Sequence, residues 1–401
     1  MTAGVVIVGG GQAGLEAAAA LRSQGYQGTI ALICEEAHAP YQRPPFSKEF
    51  LAGKMEAESL PLRALAYYEK QRIDLILGDP VTAIDRAAMQ VHLAGGGSVS
   101  YAHLILAVGA RNRPLPVAGA EHALYLRTLG ESVTLRQRIA EAHAVAVIGG
   151  GFIGLEVAAA TRGFGKTVTV IEAAPRLMSR AVSPLLSGFF LDVHRAQGAA
   201  VLLNATVASV AADGVTLGTG EKIGADLIVA GIGVLPNIEL ARAAGLDVNN
   251  GIVVDEFLRS SDPAIFAIGD CADHPNVFAG ALAGGRARLE SVQNAIDQAK
   301  CAARAILGNP APYRDVPWFW TDQYDIRFQM VGLAGGHDEC VVRGSVENRK
   351  FSAFYFQSGR LLAVDSVNRF GDHVAARKLL AGRTPLTPAQ AADETVDLKK
   401  L

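Results

Sequence analysis

No two cysteines of this sequence stand at the short spacings that redox dithiols, zinc sites and iron–sulfur clusters use. The four that exist are scattered along the 401 residues: Cys34, Cys271, Cys301 and Cys340. We therefore expect no thiol relay, no iron–sulfur cluster of its own and no bound metal. Scattered thiols are typical of a reducing compartment, which predicts a cytoplasmic protein.

Long apolar runs and an excess of one charge are absent as well. Hydrophobic residues make up 50% of the chain, yet no run approaches the length that spans a membrane. The formal net charge is -2, so the composition does not favour a nucleic-acid partner. A predicted strand at residues 5–8 leaves no room for a signal peptide before it. We expect a globular protein of two or three domains with neither a membrane nor a nucleic-acid partner.

The start of the chain carries a pattern typical of dinucleotide binding. Its parts are an apolar strand at 5–8, a glycine turn at 9–14, an alanine-rich helix at 15–21 and an apolar strand at 29–33. In such a pattern Gly9 permits the tight turn, Gly11 lets the backbone approach a pyrophosphate and Gly14 lets the helix pack on the strand. The free N–H groups at the helix N-terminus attract phosphate. Glu35, 21 residues after Gly14, is placed to accept hydrogen bonds from a ribose.

The same pattern recurs in the middle of the chain. Its parts are a strand at 145–148, a glycine turn at 149–154, a helix to about residue 162 and a strand at 167–171. Glu172 follows 18 residues after Gly154. Each copy also has a closing strand, at 104–108 before Gly109 and at 226–233 ending on Gly233. Packing glycines alone would rarely reproduce strand, turn, helix and acid twice, so two dinucleotide-binding domains are predicted.

The segment 43–48, between the first pattern and the next strands, contains two adjacent prolines. They exclude a regular helix before Phe46, so we expect an ordered loop leading into a helix. Arg43 and Lys48 beside this rigid corner favour a cofactor contact. Short strands are predicted at 73–77, 81–84 and 89–93, with a glycine hairpin turn at 95–97.

The later part of the chain adds a second kind of sheet. A strand within 261–268 stops at Gly269-Asp270, which places a carboxylate at the carboxyl end of a parallel sheet, where ligands bind. Residues 288–307 predict a helix with small apolar residues on one face. Alternating strands are predicted at 326–333, 339–346, 351–357 and 360–366. With both tryptophans nearby, these strands indicate a third, antiparallel domain.

Together these motifs resemble the flavoprotein reductases with two dinucleotide domains, most closely the ferredoxin reductases of the putidaredoxin-reductase type. Relatives in that family serve bacterial haem-thiolate monooxygenases or Rieske aromatic-ring dioxygenases. The resemblance covers nearly the whole chain and rests on both glycine turns and on segments 43–48, 125–128, 269–270, 290–294 and 317–320. Two departures are small: Phe46 stands where leucine is usual, and Val108 where threonine is usual.

The resemblance implies an α/β fold with two Rossmann-like, glutathione-reductase-like domains and a C-terminal α+β domain with an antiparallel sheet. We expect a discontinuous FAD-binding domain at 1–112 and 243–316, an NADH-binding domain at 113–242 and a C-terminal domain at 317–401. A monomer or a weak dimer is expected.

The resemblance also assigns site residues. It places FAD on Ala13, Glu35, Lys48, Val81, Arg127, Asp270 and Val292. It places the nicotinamide nucleotide on residues 149–156, including Gly149, Gly151, Phe152, Ile153 and Gly154, and on Glu172. Further cofactor contacts are expected from Gly9, Gly11, Gln12, Gly14, Arg43, Ala107, Gly109, Gly233, Gly269 and Ser291. The residues expected to act at the flavin are Lys48, Glu156, Glu290 and Trp320.

The reaction that follows joins two cofactors and no thiol. NADH delivers hydride to N5 of FAD, and the flavin releases electrons singly to a 2Fe–2S ferredoxin. The missing cysteine pair argues against the disulfide reductases, which need a dithiol beside the flavin. One alternative is the same architecture with rubredoxin or a small quinone as acceptor. The other is a nucleotide-gated interaction flavoprotein similar to apoptosis-inducing factor, which would favour a targeting segment or long insertions.

Three finer expectations concern single side chains. Glu172 predicts NADH over NADPH, because a 2′-phosphate would meet a carboxylate there. In relatives, the positions of Arg63 and Lys300 present cations to the ferredoxin, and Arg304 shares a helix face with Lys300. Relatives also bring the residues equivalent to Lys48 and Glu156 together beside flavin N5, so a contact within hydrogen-bond reach is predicted.

Overall fold

The computed structural model of the chain describes residues 4–280 and 282–401. Up to residue 112 its elements are β1 (Gly4–Val8), α1 (Gln12–Ser23), β2 (Ile30–Cys34), α2 (Leu65–Lys70), β3 (Ile73–Leu77), β4 (Val81–Asp85), β5 (Gln90–Leu93), β6 (Ser98–Leu106) and β7 (Ala110–Asn112). The next are β8 (Ala123–Leu124), α3 (Leu129–Glu141), β9 (Ala144–Ile148), α4 (Phe152–Gly163), β10 (Thr167–Ile171), α5 (Pro184–Ala196) and β11 (Ala200–Leu202). A small ribbon and its neighbours follow: β12 (Val207–Ala211), β13 (Gly214–Leu217), β14 (Lys222–Gly224), β15 (Leu227–Ala230), β16 (Val234–Pro236) and α6 (Glu239–Ala243).

The remaining elements complete the first sheet, form one small separate sheet and build the last sheet. They are β17 (Ile252–Val253), β18 (Ile265–Ala267), β19 (Ala272–Pro275), β20 (Arg286–Ala287), α7 (Val292–Ile306), β21 (Trp318–Gln323), β22 (Ile326–Gly332), β23 (Glu339–Ser345), β24 (Lys350–Gln357), β25 (Arg360–Val367), α8 (Phe370–Gly382) and α9 (Pro388–Ala392). The 3₁₀ turns are Pro44–Ser47, Ala57–Ser59, Ala120–His122, Gly269–Cys271, Leu282–Gly285 and Leu398–Lys400.

The first sheet has a parallel core in the order β3-β2-β1-β6-β18. Strand β5 pairs in antiparallel fashion with the start of β6, and β4 pairs in the same fashion with β5. All five residues of β1 are buried, because strands lie on both sides of it and α1 covers it. Parallel strands end at one edge. That edge therefore collects the glycine turn after β1, Glu35 after β2, Ala107 after β6 and Gly269-Asp270 after β18.

The second sheet is parallel throughout, in the order β11-β10-β9-β15-β8. Its carboxyl edge collects the second glycine turn after β9, Glu172 after β10 and the segment 231–233 after β15. The short strands β7 and β16 pair with each other where the chain passes between the two sheets.

The third sheet is antiparallel, in the order β21-β22-β25-β24-β23. Strand β24 alternates between two cores: Phe351 and Tyr355 pack toward α5, whereas Phe354 and Phe356 pack toward α8. The ring of Phe189 on α5 lies 5.2 Å from that of Phe351. We call the first sheet with its helices the first unit and the second sheet with its helices the second unit. The packing of Phe351 on Phe189 anchors the third sheet on the second unit and brings β21 against α4.

The predicted fold class is confirmed by this architecture. The helix expected after the proline corner is a wrong prediction: the prolines occupy the first turn of the 3₁₀ turn Pro44–Ser47, and turns follow it. Proline suits such a first turn because its fixed φ fits and no N–H is needed there. The helix predicted from residue 288 begins only at Val292. No helix in residues 4–280 and 282–401 is long and apolar enough to cross a membrane.

Candidate functional site

The first glycine turn is shaped by close backbone contacts. Gly9 has a φ of +119°, and a Cβ on it would lie 2.2 Å from the carbonyl oxygen of Ala107. A Cβ on Gly14 would lie 2.0 Å from the carbonyl oxygen of Gly9. Gly11 is different, since a Cβ on it would meet no atom within 4 Å. Gly11 caps α1, whose first turn carries no acidic residue. The helix N-terminus therefore faces open space that fits a pyrophosphate.

The second turn repeats this geometry. Gly149 has a φ of +108°, and its Cβ would lie 2.5 Å from the carbonyl oxygen of Gly231. A Cβ on Gly154 would lie 2.1 Å from the Gly149 carbonyl oxygen, whereas one on Gly151 would meet nothing within 4 Å. Gly151 caps α4, again without an acid in the first turn. The chain thus contains two matching phosphate cradles, and Gln12, Ala13, Phe152 and Ile153 form the first turns behind them.

The acids after the second strands of the two units have different surroundings. Glu35 is exposed, and no described residue hydrogen-bonds to its side chain. Glu172 accepts hydrogen bonds from the backbone N–H of Gly150 at 2.6 Å and of Ala174 at 2.7 Å. Each carboxylate oxygen keeps a free lone pair. Both acids can therefore accept ribose hydroxyls, and Glu172 is held in place to do so.

Arg176 is the cation closest in sequence to Glu172, and it is already committed to structural bonds. Its guanidinium donates to the carbonyl oxygens of Ser179 and Val182, both at 2.6 Å, and to the Ser187 hydroxyl at 2.8 Å. Arg180 is exposed, and one of its nitrogens lies 3.2 Å from where a Cβ on Gly233 would stand.

Three predicted FAD contacts, Arg43, Arg127 and Asp270, are linked by hydrogen bonds in one cluster. The Arg127 guanidinium contacts the Asp270 carboxylate at 2.8 Å, and Arg43 donates to the backbone oxygen of Arg127. Arg43 also contacts Glu36 at 3.0 Å. A Cβ on Gly109 would lie 3.5 Å from Arg127, so the end of β6 belongs to the same cluster. Val81, by contrast, is buried at the start of β4.

The start of α7 closes the first unit. Ser291 caps this helix by accepting from the N–H of Asn294 at 3.1 Å, and Val292 is its first residue. Gly269 packs against α1, since a Cβ on it would lie 3.0 Å from the Ala13 Cβ. Glu290 is exposed and pairs with Arg288 at 2.6 Å.

Lys48 and Glu156 meet, as predicted. The Lys48 ammonium lies 2.9 Å from the Glu156 carboxylate, and the Glu156 side chain is 1% exposed. Thr321 on β21 donates to Glu156 at 2.5 Å, and Ser47 donates to the other carboxylate oxygen. A carboxylate this deeply buried needs such partners, because an unpaired one is costly. Sequence reasoning missed both hydroxyls, although Ser47 lies inside the 43–48 motif.

An aromatic cluster stands beside this pair. Phe152 and Glu156 lie on one face of α4, and they contact Phe319 and Thr321 on one face of β21, with the two phenyl rings 4.7 Å apart. Trp320 therefore points to the opposite face, where its ring lies 5.6 Å from that of Trp318. Trp320 precedes Thr321, the residue that contacts Glu156, but the Trp320 side chain lies on the other face of β21.

The cysteines do not form a redox pair. All four are free, and Cys34, Cys271 and Cys301 are buried. Burial raises the pKa of Cys34 to about 12 and the pKa of Cys271 and Cys301 to about 11. These three thiols stay protonated near neutral pH and are poor nucleophiles.

The cations expected to contact a protein partner are exposed. The Arg63 side chain lies over the Tyr67 ring, 5.6 Å from its centroid. Lys300 pairs with Asp297 at 3.1 Å. Lys300 and Arg304 line one shallow depression together with Gln24, Asp297 and Asp315. The charge of this face is therefore mixed.

Two dinucleotide cradles on two parallel sheets, joined by a buried Lys–Glu pair, define an oxidoreductase that uses two nucleotide cofactors. The chain matches the model of the pyridine nucleotide-disulphide oxidoreductase family over residues 3–299 and the reductase C-terminal model over residues 318–401. It belongs to the pyridine nucleotide-disulphide oxidoreductase family, and its cofactors are FAD and NAD(H).

Individual relatives match along nearly their whole length. Rhodocoxin reductase of Rhodococcus erythropolis is 52% identical over 98% of this chain and 93% of its own. The crystal structure of the ferredoxin reductase for the CYP199A2 system from Rhodopseudomonas palustris superposes with a TM-score of 0.96, at 47% identity over 99% of this chain and 98% of that one. The covalent putidaredoxin reductase–putidaredoxin complex gives 0.95, at 41% identity over 100% and 98%. The resemblance to the putidaredoxin-reductase type is confirmed.

Proposed function

We propose that the chain is an NADH-dependent FAD flavoprotein that passes electrons one at a time to a 2Fe–2S ferredoxin serving a bacterial oxygenase, of the haem-thiolate or Rieske type. One observation carries the proposal: two dinucleotide cradles occur together with cysteines that are all unpaired. A flavin can accept hydride from the nicotinamide, but no disulfide is available to accept the electrons from the flavin. The names of the relatives support an iron–sulfur protein as the external acceptor.

The cofactors divide between the two parallel sheets in this proposal. Residues 1–112 and 243–316 form the FAD domain, which is supported by the pairing of β18 with β6 in the first sheet. Residues 113–242 form the NADH domain, and residues 317–401 the C-terminal domain. When bound, FAD accepts two electrons from NADH and releases them singly.

The residues of the site take distinct roles. The α1 cradle and the Arg127–Asp270 pair bind FAD, while the α4 cradle and Glu172 bind NADH. Lys48 and Glu156 stand where the two units meet, which supports a place beside the flavin ring. There the ammonium stabilises negative charge on the reduced cofactor and orients the ring, and Glu156 holds the ammonium in place. Glu290 and Trp320 are proposed to border the same ring.

The acceptor is tested by steady-state electron transfer from NADH. Cytochrome c reduction is measured with the purified holoenzyme alone, with a 2Fe–2S ferredoxin, with a rubredoxin and with a small quinone. We expect the ferredoxin to give the largest kcat/KM. A larger value with rubredoxin or quinone would overturn the choice of acceptor. Slow turnover with every acceptor would favour a nucleotide-gated interaction protein instead.

Nucleotide preference gives a first quantitative prediction. Backbone hydrogen bonds hold the Glu172 carboxylate at the expected position of the adenosine ribose. The Arg176 guanidinium is engaged in three hydrogen bonds of its own. Two like charges about 4 Å apart repel by up to about 4 kcal/mol at an effective dielectric constant near 20. Screening reduces this energy, so we expect kcat/KM for NADH to exceed that for NADPH by at least about tenfold.

Paired variants separate the charge of Glu172 from general effects. Glu172→Gln keeps the acceptor oxygen and removes the charge, so the NADH/NADPH ratio should fall. Glu35→Gln makes the same change in the first unit and should leave that ratio unaltered when FAD is saturating. A wild-type kcat/KM for NADPH at or above that for NADH would disprove the assignment.

The docking face gives a second prediction. We propose that Arg63, Lys300 and Arg304 attract an acidic ferredoxin, since all three are exposed cations. Reversing Arg63 and Lys300 to Glu should raise the KM for ferredoxin several-fold at low ionic strength, and the effect should shrink with salt. Ferricyanide reduction should be unaffected. The mixed charge beside Lys300 limits the expected size.

A matched control carries the same change of charge elsewhere. Lys222 and Lys400 have side chains 53% and 82% exposed, and their double reversal to Glu should leave the ferredoxin KM near the wild-type value. If the Arg63 and Lys300 reversal behaves like this control, these residues lie outside the interface.

We also propose a compartment and an assembly state for the protein. Four free thiols support a reducing cytoplasm. We propose a monomer or a weak dimer in solution.

A further inference from the structure

Buried polar side chains form a continuous hydrogen-bonded chain behind Glu156. Thr321 donates to Glu156 at 2.5 Å, and the Gln323 amide nitrogen donates to Thr321 at 3.2 Å. The Gln323 oxygen lies 2.9 Å from Nε2 of His194, and the Tyr324 hydroxyl lies 3.3 Å from Nδ1 of the same ring. Glu156, Thr321, Gln323 and His194 are each at most 2% exposed. The chain runs from α4 through β21 to α5, so it joins two units of the fold.

The polarity of this chain is set from the Glu156 end. An ionised carboxylate only accepts hydrogen bonds, so Thr321 must direct its single proton to Glu156. Thr321 must then accept from Gln323, which places the amide nitrogen toward Thr321 and the amide oxygen toward His194. The opposite orientation of the amide would take the threonine proton and leave two oxygens in repulsive contact.

The same logic determines the tautomer of His194. Because the Gln323 oxygen is an acceptor, Nε2 of His194 must carry the proton and Nδ1 must accept from Tyr324. Burial lowers the pKa of His194, which favours the neutral ring that this arrangement requires. Every donor in the chain therefore points toward Glu156, and aligned hydrogen bonds strengthen one another.

We propose that Thr321, Gln323 and His194 are positioning residues for electron transfer: their aligned hydrogen bonds orient the Glu156 carboxylate and thereby fix the Lys48 ammonium. This inference rests on the proposed place of Lys48 and Glu156 beside the flavin. It makes the packing of the C-terminal sheet on α5 part of the site, because that packing sets the distance from His194 to Gln323.

Burial alone does not require such a chain. Thr161 lies on the same helix as Glu156 and is 0% exposed, yet its hydroxyl has no partner in the described part of the chain. A buried threonine in this core is thus tolerated without a network. The aligned bonds on the other side of Glu156 point to a role beyond filling space.

The tautomer is tested first, because it is measured in the wild-type enzyme and a variant serves only for the assignment. The holoenzyme is labelled with ¹⁵N-histidine, and His194→Gln assigns the resonance among the 9 histidines. We expect a protonated Nε2 and an unprotonated, hydrogen-bonded Nδ1. A His194 ring protonated at Nδ1 would overturn the polarity and with it the proposal.

Substitution of Thr321 tests the effect on the reaction. Thr321→Val keeps the shape and removes the hydroxyl, so we expect about a tenfold slower reduction of the flavin by NADH, with the Kd for NADH within about twofold of wild type. The His194 resonance should change to that of a mixture of tautomers, because the side-chain amide of Gln323 becomes free to flip. Thr321→Ser restores the hydroxyl and should restore both the rate and the tautomer.

Thr161→Val is the matched control, and it should alter neither the rate nor the His194 resonance. Wild-type reduction in Thr321→Val, even with a lower Tm, would show a merely structural hydroxyl and end the inference. If Thr321→Val does not bind FAD, the tautomer in the wild-type enzyme decides the matter. Failure of the proposed function is distinguishable, because NADH would then not reduce the flavin of the wild-type enzyme. Failure of the proposed place of Lys48 would instead give wild-type reduction in Lys48→Ala.

Discussion

Replacing Gly11 by alanine is expected to weaken FAD binding by about a hundredfold or more in a chain that still folds. The added methyl group meets no protein atom within 4 Å, so the fold has room for it. It does enter the space in front of the α1 N-terminus, and a displaced pyrophosphate loses hydrogen bonds to the backbone. Two such bonds to a charged group are together worth ~3 kcal/mol or more. FAD titration of the apoprotein and its Tm measure the two parts of this prediction.

Gly151→Ala is the matched variant in the second unit. It should purify with a full complement of FAD and lose affinity for NADH by a similar factor. Gly14→Ala gives the opposite contrast, because its methyl group would lie 2.0 Å from a backbone oxygen and should destabilise the fold itself. If Gly11→Ala keeps its FAD while Gly151→Ala loses it, the two cofactors are assigned to the wrong units.

The two dinucleotide units were predictable because their pattern is local. A buried strand, a glycine turn, a helix and a terminal acid follow one another within about 30 residues, and each part depends on its neighbours in sequence. The two acids nevertheless ended in different surroundings, since only Glu172 accepts bonds from neighbouring backbone N–H groups.

Two further helices, which were not predicted, also begin at recognisable local signals. Helix α3 begins at a capping box in which Thr128 and Glu131 bond reciprocally, a pattern visible as threonine followed three residues later by glutamate. Helix α5 begins with Ser183 as its cap and Pro184 in its first turn, which is an equally standard start. Helix α3 begins directly after the segment 125–128 that carries part of the resemblance, whereas α5 lies outside every motif of the cofactor sites.

The environment of Glu156 lies beyond this kind of prediction. Ser47 and Thr321 are 109 and 165 residues away from it in sequence, and single hydroxyls carry no periodic pattern. The approach of Thr321 depends on how the third sheet packs on the second unit, which is settled by rings such as Phe189 and Phe351. The approach of Ser47 depends on how the turn Pro44–Ser47 packs against α4. The Lys48–Glu156 contact itself was anticipated only through the family resemblance.

Lys48→Ala should slow reduction of the flavin by NADH about a hundredfold while changing the Kd for NADH much less. The Lys48 side chain is 11% exposed and its ammonium lies 2.9 Å from Glu156, so the charge acts in a poorly solvated place where it has a large effect. A preorganised donor that stabilises developing charge contributes about 10²–10³ in rate. Anaerobic stopped-flow measurements of flavin bleaching at varied NADH concentrations separate the rate from the Kd.

The same substitution also removes the cation that pairs with the buried Glu156 carboxylate. Its effect on stability must therefore be separated from its effect on the rate of flavin reduction. Breaking a buried ion pair lowers the free energy of unfolding by about 3–5 kcal/mol, because Glu156 keeps only the hydroxyls of Ser47 and Thr321. Adding Glu156→Gln removes the unpaired charge and should recover much of this stability. It supplies no ammonium, so flavin reduction should stay slow in the double variant. Reduction at the wild-type rate in either variant would mean that Lys48 stabilises the fold without assisting hydride transfer.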